Sequence, residues 1–250
     1  MEFKNKTAII TGASSGIGFL LSKCYAEHGG NVVMVGTTRE KLERAVEEVN
    51  LIRRGSAIGV VCDVRDYTQV CHVRDEAVRV FSGIDLLVNL AGGAETRMCN
   101  ALGMEFPDTP IEVYDWGVDV NLKGQLYFDH AVLKQMREQK SGLIIHIGSI
   151  TGEEGCKNNV AYAASKSGAM YGMTKSIAQY GAQYGIRCCC ISPGPVLTRA
   201  AMSKMKTMLG RAAETQEIVD MILYVASDKG QFLNGMNIMI DGGRSAMKHA

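Results

Sequence analysis

Short apolar runs rich in β-branched residues alternate along this chain with longer stretches of helical period. Several runs are apolar at consecutive positions, as in Ile9-Ile10 and Leu143-Ile144-Ile145. A strand that is apolar on both faces must be covered on both, which is the condition of a parallel sheet lying between layers of helices. The pattern predicts strands at 7–11, 31–35, 57–62, 86–89, 143–147, 187–191 and 237–240. It predicts helices near 17–28, 39–52, 67–81, 111–136, 160–183 and 215–226. The expected fold is α/β and doubly wound, a parallel seven-stranded sheet with helices on both faces.

No linker, repeat or low-complexity tract divides the chain, and none of the four prolines falls inside a predicted strand. One domain spanning 1–250 is expected, carrying every site. Hydrophobic residues make up 46% of the chain and charged ones 21%, enough to bury a full core. A net charge of +1 gives no basic field for nucleic acid or acidic membranes. The eight cysteines include the run Cys188-Cys189-Cys190 but no C-x-x-C pair, so reduced thiols at apolar positions are expected, with no metal. No apolar run approaches the ~20 residues that cross a bilayer, and residues 1–6 carry no apolar leader. A soluble, cytoplasmic protein is the expectation.

The first strand runs into Thr11-Gly12-Ala13-Ser14-Ser15-Gly16-Ile17-Gly18, followed at once by an amphipathic helix. Gly12 suits a tight turn, while Gly16 and Gly18 allow backbone to approach a pyrophosphate and the helix to pack on the sheet. The helix N-terminus would offer free N–H groups and partial positive charge to the phosphates. A plain glycine-rich turn would look the same in isolation, but the strand-to-helix setting favours a dinucleotide.

Tyr162 and Lys166 stand four residues apart on a predicted helix, and Ser149 ends an apolar strand thirteen residues before the tyrosine. Residues at that spacing share a helix face. A tyrosine with a free pKa of about 10 is a poor base at neutral pH, and an ammonium beside it favours the phenolate. The result would be an acid/base group for a substrate oxygen, with Ser149 orienting that oxygen. A Tyr-x-x-x-Lys pair alone would pass for surface decoration; the serine and the glycine turn make it informative.

Together these residues resemble the short-chain dehydrogenase/reductase superfamily, from Thr11 to Gly243. The family's adenine-contacting pair matches Asp63-Val64, and its Asn-Asn-Ala-Gly segment matches Asn89-Leu90-Ala91-Gly92 with Leu90 replacing an asparagine. Its catalytic asparagine falls on Asn121, and its nicotinamide-flanking segment on Pro193-Gly194 with Val196 and Thr198 following. Cys189 is a second departure, standing where relatives carry asparagine. The resemblance implies a Rossmann fold and an NAD(P)-dependent oxidoreductase that interconverts a ketone and a secondary alcohol. Tyr162 would be general acid/base and Ser149 would polarise the substrate oxygen. Lys166 would bind the nicotinamide ribose and depress the tyrosine pKa, while Asn121 would hold a relay water. The resemblance also implies a homotetramer or homodimer, paired through the long helices and the last strand.

The second predicted strand is followed by Gly36-Thr37-Thr38-Arg39. The carboxylate that receives the ribose hydroxyls of NAD is absent at Gly36, and Arg39 can supply charge to a 2′-phosphate. NADP(H) is therefore favoured over NAD(H). Substrate loops are expected after Gly92, where Glu95, Arg97, Met98 and Met104 stand, and in a short lid at about 198–212. Met202, Met205 and Met208 recur there at intervals of three, either packing down as one face or forming a pliable apolar cover. That lid favours a hydrophobic substrate such as a hydroxysteroid or bile acid, with 3-oxoacyl thioesters and sugars or polyols as alternatives. A non-catalytic dinucleotide sensor, or lyase, dehydratase or epimerase chemistry, would use the same scaffold.

Overall fold

The computed structural model describes residues 2–247. Its seven strands are β1 (Thr7–Thr11), β2 (Asn31–Gly36), β3 (Ala57–Val61), β4 (Leu86–Asn89), β5 (Gly142–Ile147), β6 (Ile186–Pro193) and β7 (Asn237–Ile240). They form one sheet in the order β3-β2-β1-β4-β5-β6-β7, and every neighbouring pair is parallel. The seven predicted runs are these strands, with ends that differ by up to two residues. β6 is longer than expected, because its ladder with β7 continues through Ser192 and Pro193.

Alternation along each strand divides the core into two layers. Ala8, Ile10, Val32 and Met34 face α1 (Gly16–Glu27), α2 (Arg39–Ile52) and α10 (Thr215–Ala226), through Leu21, Leu42, Val49 and Ile222. Ile9, Val33 and Val35 face the opposite layer, where α3 (Tyr67–Phe81) and α6 (Gly124–Gln139) contribute Val70, Val73, Phe128 and Val132. Each of these side chains is almost fully buried, a gain of about 1.5–3 kcal/mol for each large aliphatic or aromatic one. Cys188 and Cys189 fall in opposite layers, and all eight cysteines are free thiols.

The two long predicted helices are interrupted. The first begins as α5 (Ile111–Val118), passes through a π-helical turn at Asp119–Lys123 and continues as α6. The second begins as α8 (Val160–Gly168), has a π-helical turn at Ala169–Met173 and continues as α9 (Thr174–Ala182). Each wide turn releases backbone carbonyls that side chains then take up. The Gln125 amide donates to the Asn121 carbonyl at 2.6 Å, and the Thr174 hydroxyl donates to the Ala169 carbonyl at 2.6 Å.

Thr174 also closes a buried polar chain across the sheet. Its Oγ1 lies 2.8 Å from His146 Nδ1 on β5, and His146 Nε2 lies 2.8 Å from Asp129 Oδ2 on α6. The Asn89 amide on β4 donates to the other Asp129 oxygen at 3.0 Å. None of the four residues is more than 1% exposed. Removing one partner from such a chain leaves the others buried and unpaired, which costs about 3–5 kcal/mol. Asp129→Ala is expected to lower the thermal midpoint by on the order of 10 °C. A calorimetric midpoint within a degree or two of the parent would show that water replaces the lost partner.

Candidate active site

In a parallel sheet all carboxyl ends share one rim, and here the strand order reverses between β1 and β4. A crevice outside that reversal is where open α/β sheets take ligands. Two adjoining cavities lie there. The larger, of about 630 Å³, is lined by Gly12, Ser14, Ser15, Ile17 and Gly18 of the β1–α1 turn, and by Thr37, Asp63, Val64, Ala91 and Gly92 from the following strand ends. The smaller, of about 380 Å³, is lined by Ser149, Tyr162, Lys166, Pro193, Gly194, Val196 and Thr198.

The larger cavity suits a dinucleotide. Ser15 precedes α1 without capping it through its side chain, and no acidic residue stands in the first turn. The first N–H groups of α1 thus remain open to an external acceptor. Two other helices are closed by their own residues: Asp66 accepts from Thr68 and Gln69 at the start of α3, and Glu214 with Glu217 forms a capping box on α10. Gly12 turns at φ 66°, and a Cβ on Gly18 would sit 2.6 Å from the Gly12 carbonyl oxygen. A larger residue at either position would push the turn away from the helix end. Gly16 faces Thr198, whose methyl is 3.9 Å from where its Cβ would be.

Four residues expected at the cofactor, Gly16, Thr38, Arg39 and Asn89, line neither cavity. Thr38 is the N-cap residue of α2, and Arg39 points outward with its side chain 73% exposed, 3.6 Å from Glu43. Asn89 turns beneath the sheet rim to Asp129 and lines neither cavity. Arg65, which the sequence reading passed over, does line the larger cavity and is paired with Asp63 at 2.6 Å.

Tyr162 and Lys166 lie one turn apart on α8, with the ammonium 5.6 Å from the centre of the phenol ring. Lys166 is 3% exposed and donates to the Ile147 carbonyl at 2.6 Å. Burial lowers its pKa to about 8. Burial also dominates at Tyr162 and raises its pKa, against a hydrogen bond with Ser149 and the positive charges of Arg199 and Arg97, which lower it. Two arginines thus join Lys166 as cations beside the phenol.

Asn121 stiffens the cavity from behind. Its side chain staples the loop after β4: the amide donates to the carbonyls of Gly93 (3.0 Å) and Gly117 (2.8 Å), and its Oδ1 accepts from the Gly93 N–H at 2.9 Å. Its main-chain carbonyl accepts from the Gln125 amide. Its part as holder of a relay water stays a proposal from the resemblance.

Glu95 is the residue the sequence reading misplaced. It was counted with a substrate loop, yet it is fully buried on the short helix α4 (Glu95–Met98). Its carboxylate accepts from the N–H groups of Ala161 (3.0 Å) and Tyr162 (3.2 Å) at the start of α8. Beside it, the Thr96 hydroxyl donates to the Asn159 side-chain oxygen at 2.7 Å. A negative cap from a distant loop thus holds the helix that carries Tyr162. Only the spatial approach of residues 95 and 162 reveals it. Glu95→Ala is expected to reduce kcat by at least tenfold with little change in cofactor affinity, and Glu95→Gln, which keeps an acceptor oxygen, to recover part of that loss. Equal kcat in all three proteins would remove Glu95 from the positioning of Tyr162.

The short chain dehydrogenase family profile matches residues 6–209. A trans-4-hydroxycyclohexanecarboxylate dehydrogenase from Sinomonas cyclohexanicum is 36% identical over 250 aligned residues, covering 96% of this chain and 93% of the relative. A 3-oxoacyl-(acyl-carrier-protein) reductase from Thermotoga maritima is 33% identical, covering 97% and 99%. Among solved structures, an NAD+-bound xylitol dehydrogenase superposes with a TM-score of 0.88 at 27% identity, covering 97% of this chain and all of the other. A short chain dehydrogenase from Bacillus anthracis gives 0.89 at 29% identity, covering 98% and 99%. Sequence, sheet topology and these likenesses agree, and the chain belongs to the short-chain dehydrogenase/reductase family of oxidoreductases, which act on CH–OH groups.

Proposed function

We propose that this protein interconverts a ketone and a secondary alcohol on an apolar carbon skeleton, with Tyr162 as general acid/base and NADP(H) favoured over NAD(H). The observation that carries the reading is that Ser149, Tyr162 and Lys166 line one cavity, which adjoins the crevice at the α1 N-terminus. A bound nicotinamide dinucleotide supplies the hydride chemistry. The protein's own groups hold and move the proton. Ser149 hydrogen-bonds the substrate oxygen, and Tyr162 gives that oxygen a proton in reduction and takes it back in oxidation. The raised pKa keeps the phenol protonated near neutral pH, the state needed for reduction. Lys166, which lines the same cavity, would hold the nicotinamide ribose, and Ile150, Val196, Met202 and Met205 provide an apolar lining. Met208, at 66% exposure, stands apart from that lining.

Preference for NADP(H) is supported by Gly36, which brings no carboxylate to the larger cavity, and by Thr37 beside it. Arg39 would have to leave its exposed pairing with Glu43 to meet a 2′-phosphate, a pairing worth at most about 1 kcal/mol. A homotetramer or homodimer is proposed from the resemblance, in keeping with exposed Leu126, Tyr180 and Met236 on α6, α9 and the approach to β7. Among the described residues no helix is long and apolar enough to cross a membrane.

Tyr162→Phe is expected to reduce turnover by at least a thousandfold while cofactor still binds, read by NADPH absorbance for the rate and by fluorescence titration for binding. Substantial remaining turnover would take the acid/base role away from Tyr162. Arg39→Ala is expected to weaken NADPH about tenfold and NADH less than twofold, since only one of them carries the 2′-phosphate. Equal weakening of both in a Kd measurement would place the 2′-phosphate elsewhere.

A further inference from the structure

The smaller cavity is also lined by Arg97 of α4 and by Arg199, in the segment after β6. Together with Lys166 they bring three cationic side chains to this cavity, and no aspartate or glutamate lines it. Neither arginine forms an ion pair among the described residues. The single polar contact of Arg199 is with the Met202 sulfur at 3.7 Å, and Arg97 makes no side-chain hydrogen bond with the described residues. Elsewhere on the molecule arginines beside carboxylates are paired, as Arg211 is with Glu217 and Arg244 with Glu154. Two guanidiniums that face one cavity without a counterion repel each other, and Arg97 is held below its ordinary pKa by burial and by the charge of Arg199.

The dinucleotide does not account for them. Its pyrophosphate belongs at the α1 N-terminus in the larger cavity, which neither arginine lines. Both lie on the Tyr162 side, close enough for their charges to act on the phenol. α4 explains the direction of Arg97: Glu95 and Thr96 are buried against α8, which leaves Arg97 and Met98 turned outward toward the cavities.

We propose that the substrate of this site carries a carboxylate, which Arg97 and Arg199 bind while its carbonyl or hydroxyl carbon lies at Tyr162 and Ser149. This rests on the ketone/alcohol reading above and narrows it to keto acids and hydroxy acids. The planar guanidinium fork matches a carboxylate in two parallel charge-assisted bonds, and a second arginine fixes its orientation. Met202 and Met205 then pack on the carbon skeleton between the two ends. The arrangement also selects. Although both arginines are exposed, the keto acid gains charge-assisted bonds with them that a neutral ketone of the same skeleton cannot make.

The test pairs acids with their methyl esters: 4-oxopentanoate, 4-oxocyclohexanecarboxylate and 3-oxocholanoate, each beside its ester, with NADPH and with NADH. For at least one pair kcat/KM is expected to be tenfold or more higher for the acid. In Arg97→Ala/Arg199→Ala the same ratio is expected to fall to about twofold or less, mainly through KM, with the dissociation constant of NADPH unchanged. The saturated acids pentanoate and cyclohexanecarboxylate, titrated by calorimetry into the protein–NADP+ complex, provide a reading independent of turnover. They are expected to bind the parent protein and not the double variant. Acids and esters reduced equally would overturn the carboxylate while leaving the oxidoreductase reading intact. So would a preference that survives in the double variant, or a stronger preference for dihydroxyacetone phosphate than for any acid. Carboxylate binding lost in the double variant, with no turnover of any ketone, would support the anion site and overturn the ketone reading instead. No binding and no turnover would overturn both.

Discussion

Parallel strands cannot be joined by tight turns, and that constraint organises everything else in this molecule. Each strand must be re-entered from the same end through a crossover that covers one face. All seven carboxyl ends therefore lie on one rim, and the loops that leave them are the only segments free to carry chemistry. Where the order reverses between β1 and β4, neighbouring crossovers go to opposite faces and a crevice is left between them. The β1–α1 turn, the loop after β4 and the segments after β5 and β6 meet there, with α8 and the ends of β2 and β3 beside them.

A rim of loops is a poor scaffold unless something stiffens it. Here backbone groups of one loop are held by side chains of another element: Gly93 by Asn121, and the start of α8 by Glu95. The π-helical turn at Asp119–Lys123 is what lets Asn121 face Gly93, and Gln125 takes the carbonyl that the turn exposes. The second π-helical turn, at Ala169–Met173, is tied through Thr174 to the buried chain of His146, Asp129 and Asn89. Helix irregularity and buried polarity thus coincide, and each supports one side of the cavities.

Local signals were enough for the architecture. Continuous apolar runs in β1, β2 and β5 bury both faces, and strand ends fell within two residues because glycine and polar residues punctuate them. The glycine turn, Ser149, Tyr162 and Lys166 were readable because their spacing is set by one strand-to-helix turn and one helical repeat. The interruptions of the long helices were not, since a π-helical turn leaves the apolar period nearly unchanged. Glu95 and Arg97 stood out only as charges in a loop; that one is buried and the other aimed at a cavity depends on α8, more than sixty residues away. Arg39 is the opposite case. Its place after β2 suggested a phosphate ligand, yet the first turn of α2 carries its side chain outward to Glu43.

The electrostatics of the site follow from burial more than from pairing. Desolvation disfavours charge, so it acts in opposite directions on an acid and a base: the Tyr162 phenol is held in its protonated form and the Lys166 ammonium is brought down to about 8. Both groups are thereby biased toward their neutral states, and their pKa values move apart, the phenol above its ordinary value and the ammonium below its own. Arg97 and Arg199 act against that bias by favouring the phenolate. A carboxylate seated on them would neutralise this pull and raise the phenol again, which keeps Tyr162 protonated but makes it a weaker donor to the carbonyl. Substrate charge and acid strength are then coupled through the same two side chains.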